Sequence, residues 1–188
     1  MISFPRLFTS FGLMLSLAAC SSSALNPFRA DIPEPCPPIT ILKSAASKTA
    51  FQAGDGRDLI DIDYEASLSN VYSACDYSVD YDTRAGKIFV QVAPEVRAQR
   101  GPANSSRVAD IEYFVALVDP DQQILNKNVF TLRVGFPGNL TRNQVREEET
   151  VTLTIPTDGN TDGSDYQIFV GFQLDEDQLD YNVKQNAR

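Results

Sequence analysis

The sequence predicts an all-β domain built as two antiparallel sheets packed face to face. Three observations carry that expectation. Apolar and polar residues alternate with period two in several short runs. Clusters of Asp, Asn, Gly and Pro separate those runs at fairly regular intervals. One stretch alone, near the C-terminal end, has a helical start signal.

Taken in order, Ile39 and Ile41 mark a first short strand. From Leu59 to Leu68 the alternation is clear. Ile60, Ile62, Tyr64, Ala66 and Leu68 face one way, and Asp61, Asp63, Glu65 and Ser67 the other. Tyr72–Tyr81 follows, and then Lys87–Val92, with Ile88, Val90 and Val92 on one face. A polar loop is expected from Pro94 to Arg107. Ile111–Val118 is almost continuously apolar, as a central strand is when both faces are covered. Asp119-Pro120-Asp121 signals a turn. Ile124–Phe136 reads as one long strand, or two with a bulge near Asn128. Glu148–Ile155 alternates again, and Tyr166–Leu174 is the last strong strand. Asp175 is the expected N-cap of a short helix, because its carboxylate can accept from free N–H groups in the first turn. Seven or eight strands of this kind predict a sandwich, immunoglobulin-like or fibronectin-III-like. The alternative is a small up-and-down barrel, which would leave a ligand cavity inside.

The N-terminal residues predict an address. Arg6 precedes an apolar run from Leu7 to Leu17, and Leu17-Ala18-Ala19-Cys20 reads as a lipobox. That run is too short for a membrane-spanning helix, so residues 1–19 are expected to be a cleaved lipoprotein signal peptide. Cys20 would then carry a diacylglycerol, palmitate-type chains included, and hold the chain to a lipid bilayer. Two or more acyl chains anchor stably where one does not. Ser21, in place of Asp, favours the outer membrane of a Gram-negative envelope, facing the periplasm. Residues 20–35 hold three prolines and little apolar pattern, the composition of a flexible tether. Residues 36–188 form the expected single domain.

Charge and residue usage exclude several functions. The net charge is −9, and loss of Arg6 with the signal makes it one unit more negative. Such a surface does not suit a nucleic acid, whose phosphates need basic groups. Histidine is absent. Nucleophile systems that move a proton through imidazole are therefore missing a part, and so are most catalytic zinc sites. An enzyme is not expected. With Cys20 lipidated, Cys36 and Cys75 are left as a pair, and an oxidising compartment predicts a disulfide between them.

Three constellations are candidate sites. Asp61, Asp63 and Glu65 place carboxylates on one strand face, roughly 7 Å apart, a spacing that overlaps inverting glycoside hydrolysis. A solvated strand face has the same appearance. Asp158, Asn160 and Asp162, followed by Gly163, match the front half of a calcium loop. The twelfth position is Phe169, however, and turns favour the same residues. The residues allow a weak calcium site, and no cofactor is expected. Arg97, Arg100, Arg107, Arg142 and Arg146 fall in or near expected loops, where they would suit phosphates or an acidic partner. Two further matches, Asn104-Ser105-Ser106 and Asn139-Leu140-Thr141, fit the glycosylation sequon but carry little weight in a bacterial lipoprotein.

Several segments are shared with a known group of sequences: Cys36-Pro37, Arg57-Asp58-Leu59, Arg100-Gly101-Pro102, Tyr113-Phe114-Val115, Phe136-Pro137, Arg146-Glu147-Glu148, Gly171-Phe172-Gln173-Leu174 and Leu179-Asp180-Tyr181-Asn182. Through them the chain resembles an uncharacterised family of proteobacterial lipoproteins, from about Cys36 to the end. The resemblance implies a lipid anchor and supplies no catalytic residues. The expected function is a non-enzymatic module that binds an envelope protein or supports an envelope assembly. Pro94–Arg107 and Leu174–Tyr181 are its expected contact surfaces. Alternatives are a module for calcium, glycan or lipid, and a carboxylate glycan hydrolase using Asp61 or Glu65.

Overall fold

The computed structural model of the chain describes residues 34–80 and 82–186. The chain divides into two units, Met1–Asp31 and Ile32–Arg188, and the described residues belong to the second. The expected signal, Cys20 and nearly all of the tether lie outside the described residues.

The strands are β1 (Ile39–Ile41), β2 (Ser47–Phe51), β3 (Ile62–Val79), β4 (Ala85–Arg100), β5 (Val108–Val118), β6 (Ile124–Gly135), β7 (Arg142–Arg146), β8 (Val151–Asp158) and β9 (Gln167–Phe172). Among the described residues one α-helix, α1 (Glu176–Asn186), follows them. The first sheet has the order β1-β9-β5-β6. The second has the order β2-β3-β4-β7, with β8 paired to the N-terminal half of β4. Pairing is antiparallel except for β1 on β9. The two sheets do not close, so the fold is the all-β sandwich rather than the barrel.

The core lies between the sheets. Tyr64, Ala66 and Leu68 of β3 and Ile88, Val90, Val92, Val96 and Ala98 of β4 point inward. They meet Ile111, Tyr113, Val115 and Leu117 of β5, with Ile168, Val170 and Phe172 of β9. Each fully buried aliphatic side chain contributes roughly 1.5–3 kcal/mol. Side chains fill the space that a lipid-binding barrel would have left open.

Local chemistry explains where the structure departs from the sequence expectation. The expected strands Leu59–Leu68 and Tyr72–Tyr81 are not separate, because β3 runs unbroken from Ile62 to Val79. A register shift between Leu68 and Asn70 reverses the alternation, so Val71 and Cys75 now face the core. The break in period is a bulge, not a turn. Ile60 does not join the buried face. It lies in a 3-10 turn, Leu59–Asp61, and is 72% exposed.

The Pro94–Arg107 loop is likewise shorter than expected, since β4 continues to Arg100. Pro94 is tolerated at a gap. β8 pairs with β4 only as far as Val92, and β7 starts at Glu95. The Pro94 carbonyl faces that side, where it accepts from the Glu147 N–H at 2.9 Å. Its ring nitrogen faces the same junction, so no ladder bond is lost. The two polar strands β2 and β7 carry no strong apolar alternation, and the sequence expectation does not include them.

The outer face of the first sheet is covered in part. A 3-10 turn, Lys43–Ala45, sets Ala45 against Phe114 and Ala116. Gly171 makes this approach possible: a Cβ there would lie 2.8 Å from the Ala45 Cβ and 2.9 Å from the Phe114 ring. Helix α1 packs beside this turn and β2. The buried Asn182 amide donates to the carbonyls of Ser44, at 3.0 Å, and Ser47, at 2.7 Å.

Candidate functional site

The sandwich has two unlike ends. At one end the described chain begins. Cys36 is bonded to Cys75 with the Cα atoms 6.2 Å apart, as the cysteine count predicts. Beside it, Glu34 is buried and lies 2.6 Å from the Arg84 guanidinium. Arg84 sits in the β3–β4 turn with φ at 58°, in the left-handed region, and its carbonyl accepts from Thr157 Oγ1 at 3.1 Å. Gly163 leaves room for the Pro35 backbone to cross, since a Cβ there would collide with the Pro35 carbonyl. Three independent contacts thus fix residues 34–36.

The calcium candidate belongs to this same end. One carboxylate oxygen of Asp158 accepts from the backbone N–H of Asn160 and of Thr161, each at 3.0 Å, and from Thr161 Oγ1. These bonds hold its pKa below the usual carboxylate range. Asp162 caps a 3-10 turn by accepting from the Ser164 N–H at 2.7 Å and from its hydroxyl. Those bonds lower its pKa too, the hydroxyl contributing most. Both acids therefore have turn-forming roles, and the Asn160 N–H takes part in one of them. Among the described residues, no group of three or more acid, Cys or His side chains is close enough to hold a metal.

The opposite end carries a groove of about 910 Å³. β2 and β3 supply Lys48, Phe51, Tyr64 and Glu65, β5 supplies Asp110 and Glu112, and the start of α1 supplies Asp175 and Asp177. Lys48 donates to the Gln173 carbonyl at 2.8 Å. Burial lowers its pKa, and the charges of Glu112 and Asp175 oppose that shift. Tyr64 donates to the Asp110 carbonyl at 3.1 Å, and burial, with the nearby acids, pushes its phenol up to about 12. Asp110 also holds Arg133 through two bonds, at 2.7 and 2.9 Å. Asp175 caps α1 as expected, accepting from the Gln178 N–H at 2.8 Å.

On the rim of this groove stands the Leu59–Asp61 turn, with Leu59 80% exposed beside Ile60. Hydrogen bonds close the turn. Asp61 accepts from the Asp58 N–H at 3.1 Å and from the Gln52 amide at 2.8 Å, and the Asp61 N–H donates to the Asp58 carbonyl. Asp61 is thus a capping residue rather than a member of a carboxylate row. Glu65 lines the groove and Asp61 does not, so one cleft does not gather both acids named for glycan hydrolysis. The exposed pair escapes the sequence pattern because Ile60 fits the period of the strand that follows.

Of the five arginines expected to cluster, three come together on the outer face of the second sheet. Arg97 and Gln144 are cross-strand partners, as are Gln99 and Arg142, and Glu95 and Arg146. Arg100 is at the end of β4, turned to the other face. Arg107 is in the β4–β5 loop, donating to the Gly138 carbonyl at 2.7 Å. Set against family models, curated proteins and solved structures, the chain matches none of them.

Proposed function

We propose that this protein is a lipid-anchored, non-enzymatic module of the Gram-negative envelope that binds another envelope protein through the end of the sandwich opposite its tether. The observation that carries the reading is the pair Leu59 and Ile60. Two large aliphatic side chains stand in water on a turn that a capping box closes, beside an open groove. A soluble domain gains nothing by itself from such exposure, whereas an apolar pair on a hydrogen-bonded turn has less entropy to lose on docking. The lipobox supports the anchor, and the fixed contacts of residues 34–36 give the anchor a defined point of attachment.

The test uses the full chain in membranes. Labelling with an alkyne fatty acid should require Cys20 and vanish in Cys20→Ala. Crosslinking before mild detergent extraction should give a discrete heteromeric product. Leu59→Asp with Ile60→Asp should abolish that product while the melting temperature stays within a few degrees, because both side chains are already exposed. A product unchanged by the two substitutions, or no product under several growth conditions, would overturn the reading.

A further inference from the structure

The outer face of the second sheet holds an arginine array with no ion pair among the described residues. Arg97 donates through Nε and Nη2 to one oxygen of Gln144, at 3.3 and 3.1 Å. Arg142 donates through Nε to Gln99 at 2.7 Å. The Arg146 guanidinium lies 5.0 Å from the centre of the Tyr72 ring. None of the three has a carboxylate within ion-pair distance among the described residues. Glu95, opposite Arg146, accepts instead from the Ser69 hydroxyl at 2.9 Å. On a chain with net charge −9 this is unusual, since acids are plentiful. The partners that orient these guanidiniums are neutral amides and a ring, which fix geometry and leave the charge in place.

Register sets the spacing. Arg97 is diagonal to both Arg142 and Arg146 across the β4–β7 pair. Diagonal neighbours lie roughly 7–8 Å apart. The three charges therefore form a zigzag along the sheet. Beside Arg97 and Arg142 is a concavity of about 440 Å³ whose other lining includes Ser47, Thr49, Ser67, Gln99 and Glu65. Hydroxyls and amides both donate and accept, and Glu65 accepts only.

We infer that this face binds an anionic glycan, a sugar chain carrying carboxylate or phosphate groups. The guanidiniums take the anionic groups, and the hydroxyls, amides and Glu65 take the sugar hydroxyls. A simple polyanion without hydroxyl donors would gain nothing from Glu65, and the ring hydroxyls of a sugar match side chains that both donate and accept. Arg97 and Arg142 lie outside the groove beside the Leu59–Ile60 turn, while Lys48, Thr49, Glu65 and Asn182 line both concavities; the inference does not depend on the protein-binding reading.

The test is titration of the full chain in detergent with four probes at low and high salt. Oligogalacturonate supplies carboxylates and a phosphomannan oligosaccharide supplies phosphates. A maltooligosaccharide is the neutral control, and polyglutamate is the peptide control. At least one anionic glycan should bind, more weakly in high salt, and the maltooligosaccharide should not. Arg97→Gln and Arg142→Gln should each weaken binding about tenfold, as expected for lost bonds between charged groups. Lys87→Gln, an equal loss of charge near the other end of β4, should change it less than about twofold. Which of the two glycans binds more tightly identifies the anionic group. Three results would overturn the inference: no binding of either anionic glycan, equal binding by the Arg97→Gln/Arg142→Gln variant, or polyglutamate binding as tightly as the glycans.

Discussion

Removing the Cys36–Cys75 bridge is the most direct test of how the start of the domain is held. The two residues are 39 apart in sequence, and the loop they close contains β1, β2 and most of β3. In the chain-entropy treatment a closed loop of that length is worth about 4 kcal/mol. For a domain of this size, each kcal/mol moves the melting temperature by roughly 2–4 °C. The Cys36→Ser/Cys75→Ser variant should therefore melt about 8–16 °C lower than the oxidised chain. Calorimetry of the full chain, oxidised and double-substituted, reads this directly. Residue identity contributes little, because Cys36 is exposed and Cys75 only half-buried. A drop of under about 3 °C would refute the reasoning. It would mean that the unfolded chain keeps this segment compact even without the bridge.

Other outcomes follow from particular contacts. Gly171→Ala should destabilise by about 1–3 kcal/mol through overpacking, and Ala45→Gly should restore part of the loss, because the two carbons compete for one space; a thermodynamic cycle from denaturant melts measures the coupling. Ile155→Ala removes a fully buried side chain and should cost about 2–5 kcal/mol by the same assay. Asp80, Asp110, Asp158 and Asp162 all have pKa values lowered in the folded chain, chiefly by hydrogen bonds. Their contribution is present above the ordinary carboxylate pKa and fades as pH falls through the lower folded values, so Asp158→Asn should flatten the acid limb of a plot of melting temperature against pH. Tyr64 and Tyr113 have raised pKa values, both mainly through burial, so their stabilisation is complete below the ordinary phenol value and declines as pH rises past it. Absorbance titration of Tyr64→Phe should lose a tyrosinate step near pH 12.

Much of the fold is legible because burial on one face writes itself into a strand. β5 and β8 can be read almost residue by residue from their apolar patterns. β2 and β7 cannot, because their outer faces are polar and few of their residues reach the core. β3 is half legible. Its bulge breaks period two, and a break of period looks like a turn when no partner strand is in view. The disulfide follows from counting cysteines and needs no geometry. The arginine array needs the register of β4 on β7, which no local pattern reveals, and the Leu59–Ile60 turn is hidden by a capping box made of two aspartates. Local rules read Asp61 as the start of an alternating acid face, whereas its bonds to Asp58 and Gln52 end the turn that precedes β3.

The direction of the strands gives the two ends different work. β3 runs from the groove to the disulfide end over roughly 55 Å of strand, and β4 returns the same way. Cys75 lies in the half of β3 nearer that end, while Leu59, Ile60 and the Gly101–Arg107 loop lie at the other. β1, which follows the tether, is three residues long and pairs with β9 alone. By itself so short an edge strand would fray. The bridge ties Cys36 to β3 at Cys75, a position paired with β4 alone, and the Glu34–Arg84 contact ties residue 34 to the turn that joins β3 to β4. Residues 34–36 are thereby fixed to β3 and to the turn that follows it. The apolar turn Leu59–Asp61 lies at the end of β3 opposite those contacts, so a partner docked there would leave the bridge and the Glu34–Arg84 contact untouched.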